Sequence, residues 1–235
     1  MPFSIKRNSV RSTVTPSAGG TQSNELQAAI KSVTSSVTVG AVFLYSTKDD
    51  SDGGAWRKKC KGLSWFDEPT LPAGTGANQW NSATRSARSE FPAMALIVSD
   101  TASGVSIYDL DDVAAPLWMQ FETTAYDMIE ANNVTDTFSS VYALNGRLYS
   151  GKGVAHGGLV TVNFLTDSAE FTHASSHGRY QGNIAERNDA KNLSANIDSN
   201  FLADSFVNDV AATVLEGAEI GALGLPIPTV CCGTN

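Results

Sequence analysis

The sequence predicts a mainly β protein of antiparallel strands, and three observations carry that prediction. From residue 38 onward, short runs rich in β-branched and aromatic residues alternate with clusters of Gly, Asp, Asn and Pro, the pattern of consecutive strands joined by turns. In "YALNGRLY" the pair Asn145-Gly146 supplies two neighbouring residues that tolerate positive φ, as a type I′ hairpin turn requires. Before residue 38 the composition differs: residues 1–37 are rich in Ser and Thr and nearly free of aromatics, so they cannot bury a core of their own. The expected division is an N-terminal arm over 1–37 and a β-rich body over 38–235.

Within the arm, "NELQAAIKSV" has helical spacing, with Asn24 as N-cap and Gln27 reaching back to it. Leu26, Ala29, Ile30 and Val33 would form its apolar face. Two readings stand: a segment that orders against a partner chain, with Leu26 and Ile30 as contacts, or a disordered leader.

The body opens with "VTVGAVFLY", a strand, and runs into "KDDSDGGAWRKKC". That stretch has the look of a calcium loop, but setting Gly53 as its glycine puts Lys48 at the first ligand position and Lys59 at the last. Both need a carboxylate or another oxygen, so the stretch reads as a sharp, solvent-facing turn. "PAMALIVSD" is a continuous apolar run of strand length, expected to be buried on both faces. "GVSIYDLDD", "PLWMQFE", "SVYALNGRLYSGKG" and "GLVTVNFLTD" follow as further strands and hairpins. Residues 175–200 are polar and irregular and read as a long exposed loop. In "SNFLADSFVNDVAATVLEG", Phe201, Leu202, Phe206, Val210, Val214 and Leu215 fit one helical stripe, with Ser199 or Asn200 as cap and Gly217 as stop. The fold expected is thus a partial β-propeller-like or sandwich body with an extended arm and one or two short helices.

An internal echo sits inside the body. The stretches starting "ALIVSDTASGVSIYDL" and "VYALNGRLYSGKG" each run strand, turn, strand, turn, strand, aligning Tyr108 with Tyr149 and Phe121 with Phe164. A period of about 40 residues built of short strands suits propeller blades; two hairpins of a sandwich give the same pattern.

Composition excludes several classes. Hydrophobic residues are 42% and charged residues 17% of the 235, with a formal charge of −8, which opposes a broad nucleic-acid-binding face. Cys60, Cys231 and Cys232 are too few and too oddly spaced for a disulfide framework or a four-cysteine zinc site; of the adjacent pair, one is expected to be buried. "MPFSIKRNSV" lacks the apolar run of a secretory signal and no stretch approaches the ~20 apolar residues of a membrane span, so a chain made in a cytoplasm, without membrane insertion, is expected. No cofactor is implied.

Several segments taken in order, "DDSDGGAWRKKC", "SWFDE", "NSATRSARSEFPAMALIVSD", "VSIYDLDD", "PLWMQF" and "GNIAERNDA", resemble the amino-terminal half of large tail-fibre and tail-associated structural proteins of marine, podovirus-type bacteriophages. The resemblance spans roughly residues 38–230. It implies the first blades of a WD-repeat-like β-propeller in a virion protein, with a tail nozzle, adaptor or fibre among its partners, and it brings no catalytic motif. The family's chains are much longer and their counterpart of "PIPTV" leads into another blade. Two or three blades do not close a ring, so another subunit is expected to cover the open edge.

Catalytic alternatives find little support in the residues. Asp109, Asp111 and Asp112, near Asp100, are acids in the number a glycosidase needs, yet consecutive acids after Tyr108 read more simply as a solvated turn. His173 and His177 are four apart in "THASSHGRY", where Ser and Gly oppose the helix a metal pair at that spacing requires. No G-x-S-x-G turn occurs, and "KGVAHGG" lacks the ending of a phosphate loop and reads as a turn. Trp118 is expected in the core. Trp56 and Trp65 flank turns and, with Arg57, are candidate contacts for a partner subunit or a host surface glycan. Arg57, Lys58, Lys59, Arg85 and Arg88 are candidate bridges to acidic neighbours in a homo-oligomer. The functional expectation is a non-enzymatic virion protein of a phage tail that acts by assembly with other virion proteins; the alternatives are a host-glycan-binding module and, below it, a glycan hydrolase.

Overall fold

Among the described residues, twelve strands form two antiparallel sheets and a separate hairpin. β1 (Val39–Ser46), β2 (Met94–Asp100), β3 (Gly104–Asp109) and β4 (Leu117–Phe121) pair in chain order as a four-stranded sheet. β5 (Ser140–Leu144), β6 (Arg147–Lys152), β7 (Gly158–Asn163), β8 (Ser168–Thr172), β9 (His177–Tyr180) and β10 (Leu193–Ser194) likewise form a six-stranded second sheet. β11 (Val207–Thr213) and β12 (Thr229–Thr234) make the hairpin. The computed structural model describes residues 20–35, 38–71, 81–100, 104–123, 126–129, 138–154, 157–191, 193–194 and 197–235.

Strand side chains alternate between two faces, and the two sheets turn one face each toward a common core. Tyr45, Ala95, Ile97, Val105, Ile107 and Phe121 of the first sheet join Val141, Ala143, Leu148, Val160, Val162 and Phe171 of the second in a single buried cluster. The outer faces are covered separately. Helix α1 (Gly20–Ser35) lays Ala29, Ile30 and Val33 on Leu96, Val98 and Leu110 of the first sheet. The β11–β12 hairpin lays Val207, Val210 and Ala212 on Tyr149 and Leu159 of the second. The order of layers is helix, sheet, sheet, hairpin, and β2 is buried along nearly its whole length, as its apolar run predicts.

The aligned halves of the internal echo become two three-stranded meanders, β2–β3–β4 and β5–β6–β7. Tyr108 and Tyr149 occupy the outer faces of the two middle strands. Phe121 and Phe164 meet in the shared core, with ring centroids 6.4 Å apart.

Between β1 and β2, the described residues 47–71 and 81–93 fill the sandwich's end, with two one-turn helices, α2 (Trp56–Lys59) and α3 (Ser64–Asp67), among them. Their indoles insert among core aromatics: Trp56 lies 5.4 Å from Phe91, Trp65 lies 5.5 Å from Phe164, and Phe91 lies 4.8 Å from Trp118, centroid to centroid. Such contacts add specificity beyond the area buried.

The segment opening this connection is a turn with Lys48, Asp49, Ser51, Gly53, Lys58 and Lys59 exposed, as its composition suggests, but it also sends Asp50 and Trp56 inward. Asp50 is 5% exposed. One carboxylate oxygen accepts from the Tyr45 hydroxyl (2.6 Å) and the Trp56 indole N–H (2.7 Å), and the other accepts from the Asn145 backbone N–H (2.7 Å). Asn145 and Gly146 have φ of 50° and 66°, the left-handed geometry that an Asn-Gly hairpin supplies. Asp50 and Trp56 are thus turned inward from this run because the carboxylate and the indole meet specific partners.

Three further expectations are corrected. The 199–217 stretch holds a strand, Val207–Thr213, and not a helix: a register shift between Val207 and Asp209 places Val207 and Val210, three residues apart, on the same buried side, which imitates helical spacing. Gly217, at φ 76°, shapes a turn beyond that strand. Residues 175–200 are not simply an exposed loop, since they hold β9, β10, and a single 3-10 turn (Ile184–Glu186) closed by a reciprocal Asn183–Glu186 cap. Ile184 and Arg187 there are buried. The arm's helix starts at Gly20 rather than after Asn24 and packs on the chain's own first sheet, so the apolar face of Ile30 is met within the chain. Leu26 falls in α1, its side chain outside the described residues. Of the adjacent cysteines, Cys231 is exposed and Cys232 half-buried against the hairpin's apolar cluster, while Cys60 is buried, its thiol pushed up to about 12 by burial and by nearby Asp167 and Asp52.

Removing the Asp50 carboxylate strands three buried donors. Asp50→Ala is expected to cost about 3–5 kcal/mol, read as a lower urea midpoint, with Asp50→Asn intermediate; an Asp50→Ala midpoint equal to that of the native chain would refute the buried junction.

Candidate functional site

The Asn145-Gly146 turn delivers Arg147 onto the outer face of β6, directly under the hairpin. Arg147 pairs with Asn163 in β7, and Asn163 with Ser168 in β8; one step along the same face, Tyr149, Thr161, Glu170 and Arg179 line up across β6, β7, β8 and β9. This polar grid is the floor of a cavity of about 590 Å³. Its roof is the connection between β11 and β12, which contributes Gly221, Ala222, Ile227 and Pro228, with Val230 of β12 beside it.

The roof is held from below and from within. Asn145 Nδ2 donates to the Pro226 carbonyl at 3.0 Å, and the Ile227 N–H donates to the Glu219 carbonyl and the Gly221 N–H to the Leu225 carbonyl, each at 2.8 Å. A Cβ on Gly221 would stand 3.2 Å from Arg147 Nη2, so glycine lets the backbone close over the guanidinium.

Arg147 is 7% exposed, and its Nη1 is buried without a hydrogen-bond partner among the described residues. Burial pushes its pKa below the usual arginine value, while the nearby Tyr149 and Glu170 oppose that; the group still remains charged at neutral pH. Burial also pushes the Tyr149 phenol up to about 12. At the rim Arg179 Nη2 binds Glu170 at 2.6 Å, and His177 Nε2 lies 3.7 Å from the same carboxylate.

The residues singled out from the sequence lie elsewhere. Trp56 and Trp65 are fully buried, which removes them as surface contacts. Each is held by its N–H, Trp56 to Asp50 at 2.7 Å and Trp65 to the Phe164 carbonyl at 2.9 Å. Trp118 is in the core, as expected. Arg57 is engaged within the chain, by Glu90 at 3.1 Å and by the Phe91 carbonyl at 2.7 Å. Arg85 is no surface bridge either: it is fully buried, stacks 4.4 Å over Trp118, and shares Glu68 with Arg187. Arg187 grips both Glu68 oxygens, at 3.0 and 2.8 Å. Ile30, on α1, packs against the chain's own first sheet, as described above.

Asp111 and Asp112 lie in an exposed turn at the end of β3, as expected, whereas Asp109 does not. Asp109 is 6% exposed, and Arg88 bridges it to Asp111 at 2.6 and 2.7 Å. His177 stands on β9 and meets Asp198 at 2.7 Å; His156 lies outside the described residues, as does Trp80. Among the described residues no three His, Cys, Asp or Glu groups come together as a metal requires, and no helix is long and apolar enough to cross a membrane.

Sequence reasoning passed over Arg147. The available signal was the alternation in "RLYSGK", which puts Arg147 and Tyr149 on one face. That face is covered because a segment distant in the chain folds back over it, and nothing local in that segment marks it as a roof. No protein-family model, no curated protein and no solved structure matches the chain.

Partial burial pushes the Asp111 carboxyl up, but hydrogen bonds from the Ala93 N–H, from Arg88 and from the Met94 N–H outweigh it and hold the group below its ordinary value. A depressed folded pKa adds stability above the unfolded value that is lost as pH falls through the folded one. Urea midpoints of Asp111→Asn are therefore expected below those of the native chain at neutral pH and to converge with them in acid. A difference that stayed constant down through that range would contradict the assignment.

Proposed function

We propose that this chain is a structural component of a bacteriophage tail, a fibre or fibre-associated protein that acts by assembly with further copies of itself and with other virion proteins and contributes to host attachment. The observation that carries the assembly reading is β12. It pairs with β11 alone among the described residues, its side chains are exposed or half-buried, and "TVCCGT" offers neither a charge nor a proline along its free edge. Unprotected edges of this kind accept a strand from another chain. Val42 and Leu44 add exposed apolar surface on β1, 47% and 53% exposed beside the helix-covered part of the first sheet. The phage-tail part of the reading rests on the ordered resemblance of the segments quoted above. Those segments hold much of the buried framework, including Trp56, Trp65, Trp118, Arg187 and the Arg88 bridge. In this reading the chain works by holding neighbours and turns nothing over.

Size-exclusion chromatography with light scattering tests it. The native chain is expected to elute above the mass of one chain, and Thr229→Lys with Cys231→Lys, both at exposed edge positions, to shift it to the monomer with its fold intact. A native chain that stays monomeric at every concentration would overturn the assembly reading, and an oligomer indifferent to these charges would remove β12 from it.

A further inference from the structure

We propose that the cavity between the outer face of the second sheet and the β11–β12 connection is a binding site for a carboxylate-bearing sugar. The argument begins with Arg147. A guanidinium that is 7% exposed and has a buried Nη1 without a partner among the described residues is an unbalanced group, because buried charges are normally paired. A carboxylate is the matching occupant, since its charge pairs with a guanidinium through strong charge-assisted N–H hydrogen bonds. The other charges do not cancel this demand: Glu170 is held by Arg179 through contacts of 2.6 and 3.3 Å, so that pair is internally matched and Arg147 is the cation left over.

The remaining lining fixes what carries the carboxylate. A volume of about 590 Å³ falls within the range of small-molecule pockets, about 300–1,000 Å³, and a bare carboxylate ion would leave most of it unfilled. Thr161, Asn163 and Ser168 give the floor hydroxyl and amide groups, whereas Ile227 and Pro228 give the roof an apolar surface. A sugar ring has both characters, hydroxyls around its rim and C–H faces above and below. A fatty acid would face too many polar groups on this floor. A nucleotide would meet a single unmatched cation, where polyphosphate recognition uses several donors or a helix N-terminus.

The site is a joint product of distant segments. Asn145 ties the turn before Arg147 to the Pro226 carbonyl, and Gly221 lets the roof approach the guanidinium. The inference stands on this geometry and not on the tail-assembly reading; binding and oligomerisation are measured separately, so either can fail alone.

The test is a titration of the full ¹⁵N-labelled chain with glucuronate, glucose and acetate in parallel, followed by amide shifts. Glucuronate is expected to move the amides of Arg147, Thr161, Asn163 and Glu170 in a saturable manner, and to bind about tenfold or more tightly than glucose or acetate. Arg147→Met is expected to weaken glucuronate binding by about tenfold or more. Ser168→Phe, which narrows the cavity and leaves Arg147 in place, is expected to abolish it, and keeps the proposal testable if Arg147→Met does not fold. No saturable shift with glucuronate, shifts located elsewhere, equal binding of glucose or acetate, or undiminished binding by a folded variant would each overturn the proposal.

Discussion

The structure turns on the junction between Asp50 and the Asn145-Gly146 turn. Asp50 joins the end of β1 through Tyr45, the first helix of the connection through Trp56, and the tip of the β5–β6 hairpin through the Asn145 N–H. The reverse links reinforce it: the Asn145 side chain accepts from the Ser51 N–H at 2.8 Å, and the Gly146 N–H donates to the Tyr45 hydroxyl at 3.1 Å. Burial pushes the Asp50 carboxyl up from its ordinary value, against the hydrogen bonds from Tyr45, Trp56 and Asn145, and pushes the Tyr45 phenol well above its own. A buried acid of this kind is tolerated only when its lone pairs are filled. Because the partners come from both sheets, filling them fixes one sheet against the other, which an apolar interface alone does less specifically.

A second polar cluster does similar work at the other side of the aromatic core. Glu68 lies between Arg85 and Arg187, all three nearly inaccessible to solvent. Burial pushes Glu68 up and Arg85 down to about 9, each against the attraction of its partner. The geometry is well satisfied: Arg187 also reaches the Gln120 and Thr84 carbonyls at 2.8 and 3.0 Å, and Arg85 reaches those of Arg88 and Trp65 at 2.6 and 3.1 Å. Replacing any one member would leave a buried charge unmatched, the costly case for interior ion pairs. A low overall charge therefore coexists with an interior that uses several of its charged residues as joints.

How far the fold was legible follows from the range of the interactions. Strands β1 to β7 were readable because period-two alternation, apolar runs and the Asn145-Gly146 signal are local. The helix read over 199–217 failed because a bulge at Val207–Asp209 copies helical spacing, and the choice was made by β12 and the apolar face beneath. The inward role of Asp50, the burial of Trp56 and Trp65, and the pairing of Arg187 with Glu68 all join residues far apart in the chain, so composition gave them a surface character that tertiary partners reversed. Arg147 was missed for the same reason: its strand was plain, but nothing near it in sequence announces the roof.

The same junction explains why the cavity and the sheet packing belong to one account. Asn145 faces Asp50 with its backbone and Pro226 with its side chain, so the element that locks the sheets also sets the height of the roof above Arg147. Native-state hydrogen exchange measures this directly. The amides of Ser51, Asn145 and Gly146, although they lie in turns, are predicted to exchange only with global unfolding, as slowly as that of Ile97 in β2. Exchange of these three at the fast rates of exposed loops, with Ile97 still protected, would contradict the claim that the junction holds the two sheets together.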